Sequence, residues 1–62
     1  MSNKYYGLDY RLAKTIDDLA DIFVYLEKLE EYMNDSEKEE TDKLLHIISS
    51  TLYDLNNLKV RL

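Results

Sequence analysis

The chain has 62 residues, no cysteine, no proline, a single glycine and a formal net charge of −5. Below about 70–80 residues a hydrophobic core rarely supplies more than about 3–5 kcal/mol, and small proteins add disulfides, a metal or association. Without cysteine there is no disulfide, thiolate nucleophile or zinc–thiolate site. One histidine is too few for a transition-metal site, and no cofactor is expected. Self-association is the route that remains.

Residues 1–7 read as an N-terminal arm or a short extra helical turn. Met1-Ser2-Asn3-Lys4 leads into tyrosines and not into an apolar run, so no signal peptide is expected. The longest apolar run, Ile22 to Leu26, is five residues, against the roughly 20 that a membrane helix requires. A cytoplasmic, non-membrane protein is expected.

From residue 8 the pattern is helical. Leu12, Ile16, Leu19, Phe23 and Leu26 step by 4, 3, 4, 3, the spacing of a seam packed on another helix. Leu29 and Met33 carry it onward, and helix 1 is expected over about 8–34. Thr15 with Asp18 matches a capping box, which allows a kink or fresh start near residue 14. The polar stretch Asn34-Asp35-Ser36 breaks the pattern. Asn34 is expected to end helix 1 in the left-handed conformation, and Ser36 with Glu39 to cap helix 2. Helix 2, about 36–61, repeats the seam with Leu45, Ile48, Leu52, Leu55 and Leu62, interrupted by Lys59. A connection this short makes the helices antiparallel neighbours. The fold class is therefore all-α, a two-helix hairpin in one domain.

The apolar stripe is wider than one partner helix can cover. Ile22 to Leu26 puts apolar atoms around most of the first helix, and Ile47, Tyr53 and Val60 lie off the second seam. A homo-oligomeric helical bundle, with a dimer favoured, is the simplest closed solution. Its core and subunit interface are expected to use Leu19, Ile22, Phe23, Tyr25, Leu26, Leu29, Ile48, Leu52, Tyr53 and Leu55.

Charge is unevenly placed. Residues 15–40 carry ten acids against Lys28 and Lys38, whereas both ends of the chain are slightly basic. A hairpin gathers Lys4, Arg11, Lys14, Lys59 and Arg61 at one end with Tyr5, Tyr6 and Tyr10. Dipole compensation and solvation explain much of this. The same groups form a candidate anion-binding set, since tyrosines stack on bases and Lys or Arg holds phosphate. Extended nucleic acid is disfavoured by the negative total charge.

Nothing points to catalysis. His46 lies in the row His46, Ser50, Tyr53, Asn57, Val60, with serines in reach but no oxyanion device. Asp17, Asp18 and Asp21 read as a solvated face, for no Glu-x-x-His accompanies them. The expected function is that of a small acidic non-enzymatic interaction protein, a regulator or inhibitor that binds another macromolecule through a protein–protein contact. Its size and composition are of a kind common among phage and mobile-element products. The alternative is an oligomeric binder or sequestering protein for a small anionic nucleotide, using the basic, Tyr-rich end.

Overall fold

The computed structural model describes residues 7–62. Two helices account for nearly all of them: α1, Leu8–Leu29, which tightens into a 3-10 turn over Glu30–Tyr32, and α2, Asp35–Arg61. No strand occurs among the described residues. The expected arm or turn at residues 1–7 lies outside them except for Gly7, which caps α1 in the left-handed region at φ 84°. Only glycine occupies that region without a Cβ penalty. Its carbonyl accepts the first helical bond from the Arg11 amide at 2.9 Å.

The connection departs from expectation at both of its signals. Asn34 is not left-handed: it is extended (φ −79°, ψ 175°) and is itself the N-cap of α2. Its Oδ1 accepts from the Glu37 amide at 2.8 Å, while the Asn34 amide donates to Glu37 Oε1 at 3.0 Å. The capping box is therefore Asn34–Glu37 and not Ser36–Glu39. Asparagine is among the strongest N-caps, and Glu37 stands three residues on, so the earlier match claims the helix start. Helix 1 correspondingly stops at Leu29, earlier than residue 34. The 3-10 turn and an extended Met33 (φ −105°, ψ 151°) reverse the chain with no positive φ.

The start near residue 14 does not occur either. α1 runs unbroken through Thr15, whose hydroxyl donates to the Arg11 carbonyl at 2.8 Å. With its hydroxyl satisfied inside the helix, Thr15 does not act as a cap. Each helix terminus carries compensating charge: Asp9 and Lys28 on α1, Asp35, Glu37, Lys59 and Arg61 on α2, as the macrodipole favours.

The two helices lie side by side in a rod of 52 × 15 × 13 Å between Cα extremes. The Thr41 hydroxyl donates to Met33 Sδ at 3.1 Å and fixes the register at the loop end. Both helices rise by about 1.5 Å per residue, so this register sets Leu29 level with Leu45, Leu26 with Ile48 and Leu19 with Leu55. Burial follows the same layers. Leu45 is 8% exposed and Thr41 6%, the only buried side chains among the described residues. Leu19, Phe23, Leu26, Leu29, Ile48, Leu52 and Leu55 are half-buried. One helix can cover only a seam of the other, so the interior is a single line.

Glu30 occupies a seam position, where a leucine would fit the 4, 3 spacing. Glu30 is half-buried, and its Oε2, almost wholly shielded from water, has no hydrogen-bond partner. The neighbouring Asp42 carboxyl, with desolvation beside it, holds the Glu30 pKa above its ordinary 4.5. A folded-state pKa above the unfolded one favours the protonated form. The stabilisation is complete below about 4.5 and is lost as pH rises through the raised value. Glu30→Gln should therefore melt higher than the parent at neutral pH, the difference shrinking on acidification toward 4.5. Equal melting temperatures at pH 7 would refute this.

Candidate interaction surface

Two flanks border the seam, and the helical repeat assigns each residue to one of them. On α1 the seam is Leu12, Ile16, Leu19, Phe23, Leu26, Glu30 and Met33; on α2 it is Thr41, Leu45, Ile48, Leu52, Leu55, Lys59 and Leu62. Residues just before each seam position form the leading flank, and those just after form the trailing flank. The local two-fold axis relating antiparallel helices is perpendicular to the plane of the pair. Both leading flanks therefore emerge on the same side of the hairpin, and both trailing flanks on the other.

The leading side is the more apolar. From α1 it presents Ile22, Tyr25 and Tyr32, and from α2 Leu44, Ile47 and Leu58, all exposed, with Ile22 at 50%, Ile47 at 59% and Tyr32 at 85%; Asp18 and Asp54 are the exposed acids between them. Thr51 lies among them with its hydroxyl already bonded to the Ile47 carbonyl at 2.8 Å. The trailing side alternates small and charged groups: Ala13, Asp17, Ala20, Glu27 and Glu31 on α1, then Asp42, His46, Ser49 and Asn56 on α2. Tyr10, Val24, Tyr53 and Val60 are exposed on that side.

The ten residues expected in the core and interface thus separate into three places. Leu19, Phe23, Leu26, Ile48, Leu52 and Leu55 line the intramolecular seam, with Leu29 half-buried at its leading edge beside Glu30. Ile22 and Tyr25 lie exposed on the leading side, and Tyr53 is exposed on the trailing side, away from them. Tyr32, Leu44, Ile47 and Leu58 stand exposed beside Ile22 on the leading side, and of these Leu44, Ile47 and Leu58 were not expected to join it. The signal that finds them is their place directly before or after the seam residues on both helices.

Of the expected anion-binding set, Lys4, Tyr5 and Tyr6 lie outside the described residues. Tyr10, Arg11, Lys14, Lys59 and Arg61 are all exposed at the terminal end of the rod. They do not converge: Arg11 and Arg61 fall on the leading side, Tyr10 on the trailing side, and Lys14 on the back of α1. Lys14 Nζ is 3.7 Å from Asp18, an exposed i, i+4 pair worth about 0.3–0.5 kcal/mol. Among the described residues no group of three His, Asp or Glu side chains is placed to hold a metal ion, and no helix is long and apolar enough to cross a membrane.

Comparison with protein-family models, with curated proteins and with solved structures finds no match for this chain.

Proposed function

We propose that this chain is a small non-enzymatic interaction protein, a helical hairpin that associates with its own kind and acts on another macromolecule as a regulator or inhibitor. One observation carries the reading: six large apolar side chains stand exposed on one side of a hairpin in which, among the described residues, only Leu45 and Thr41 are buried. Water-facing apolar surface of this extent marks an interaction site. Tyrosines are prominent on both sides, and they are favoured at protein–protein interfaces because a rigid apolar ring ends in a polar tip. Self-association consumes part of this surface. The rest, with the acids beside it, remains for a different protein partner.

The test is reconstitution. A host protein captured on the immobilised chain should re-form a stoichiometric complex from purified components. Tyr53→Glu should weaken that complex at least tenfold while leaving the chain's own hydrodynamic mass unchanged. Absence of any stoichiometric partner would remove the proposal.

A nucleotide-binding role has less support, because only Arg11 and Arg61 share a side, while Tyr10 and Lys14 lie elsewhere around the rod. Thermal melting with millimolar mono- and dinucleotides should show no stabilisation. A clear upward shift, abolished by Arg11→Ala with Arg61→Ala, would reinstate that role.

A further inference from the structure

We infer that the leading side takes a second copy of this chain, laid antiparallel so that the loop end of each hairpin rests on the terminal end of the other. The inference deepens the proposed function by assigning the self-associating surface and its orientation. It rests on that reading for the existence of an oligomer.

Area is the first argument. Two helices 8–10 Å apart and about 38 Å long present a side of roughly 700 Å², close to the ~800 Å² per partner of a standard protein interface. Along this side run the exposed Ile22, Tyr25, Tyr32, Leu44, Ile47 and Leu58, with Asp18 and Asp54 as the charged residues among them. Covering Thr51 strands no hydroxyl, since its donor is satisfied within α2.

Charge chooses the orientation. The loop half of the rod, residues 27–47, holds eight acids (Glu27, Glu30, Glu31, Asp35, Glu37, Glu39, Glu40, Asp42) against Lys28, Lys38 and Lys43, net −5. The described terminal half holds Asp9, Asp17, Asp18, Asp21 and Asp54 against Arg11, Lys14, Lys59 and Arg61, net −1. Parallel hairpins would set the two −5 halves against each other. Antiparallel ones set each beside the nearly neutral half. On the leading side itself, Glu37 and Glu40 lie at the loop end, Arg11 and Arg61 lie at the terminal end, and the exposed Asp18 and Asp54 stand between the arginines and the middle of the rod.

The two requirements coincide. A two-fold axis crossing the rod beside Tyr25 and Thr51 brings Glu40 of one copy level with Arg61 of the other. The same axis lays Leu44 over Leu58 and sets Ile22 against Tyr25. The interface is isologous and closed, and the four helices complete a bundle. The trailing sides, with Val24 and Tyr53, then face outward as two equivalent surfaces.

Four measurements test this. Sedimentation of the wild-type chain should show a dimer whose dissociation constant rises with salt, because the pairings at both ends are attractive; a dimer that tightens with salt would overturn the orientation. Ile47→Glu, present twice in a symmetric dimer, should raise the dissociation constant about 100-fold or more, whereas Ser49→Glu on the trailing side should change it less than about threefold. Equal effects of the two would overturn the assignment of the face.

Because the chain has no cysteine, introduced thiols report alone. A mixture of Glu40→Cys and Arg61→Cys chains should form the heterodisulfide, with little self-linked Glu40→Cys. Efficient self-linking of Glu40→Cys would establish parallel packing and overturn this inference while leaving the oligomer intact. A cooperatively melting monomer at micromolar concentration would instead overturn both the inference and the oligomer beneath it.

Discussion

Leu26→Asp should abolish folding and association together. Leu26 lies in the seam, level with Ile48 and half-buried, with no basic side chain at that level on α2 to pair with it. Burying an unpaired carboxylate costs several kcal/mol, and a core of this length supplies only about 3–5 kcal/mol in all. Phe23→Asp should behave alike, since its ring occupies the next layer. Far-UV circular dichroism and sedimentation read the two outcomes at once. A variant that remains fully helical as a monomer would show that the hairpin does not depend on its seam. The contrast with Ser49→Glu, one residue beyond Ile48 but outside the seam, separates the position of a charge from the mere addition of one.

Asn34→Ala should lower stability by about 1 kcal/mol, a fall in melting temperature of roughly 4–8 °C for a domain of this size. Asn34→Gly should lose only a few tenths of a kcal/mol. Ser36→Ala should stay within about 0.5 kcal/mol of the parent. The order follows from which side chain meets the free amides at the start of α2: Asn34 Oδ1 accepts from the Glu37 amide at 2.8 Å. Glu37 returns the bond through Oε1 at 3.0 Å, so Glu37→Ala should cost a similar amount. If Ser36→Ala proved the more damaging, the helix would begin two residues later than described.

Both substitutions separate what the local sequence dictates from what packing decides. The aliphatic run of the seam was legible, though not Glu30 or Thr41 at its loop end. Leu12 to Leu26 and Leu45 to Leu55 keep the 4, 3 rhythm, and the same residues are half-buried or buried in the hairpin. A local pattern sufficed there because a helix puts every third or fourth residue on one line whatever it packs against. The loop was legible only as a break. Two capping boxes overlapped, Asn34–Glu37 and Ser36–Glu39, and local rules permit either. Closing the hairpin through Met33 and Thr41 leaves Asn34 as the residue that turns the chain into α2. Glu30 was invisible as a misfit, since its unfavourable place depends on Asp42 arriving from the other helix.

The interaction surface shows the same division. Helical periodicity by itself determined that the chain is two rods with stripes too wide for each other, joined at the polar break Asn34-Asp35-Ser36. Which exposed residues share a side could not follow from either stripe alone. Ile22 and Tyr25 join Leu44 and Ile47, and Tyr53 parts from them, only once the helices are antiparallel with Met33 beside Thr41. The physical reason is that a helix sets angles around its own axis, whereas the side of a hairpin on which a residue emerges depends on how the second axis is placed against the first. That placement belongs to the tertiary structure.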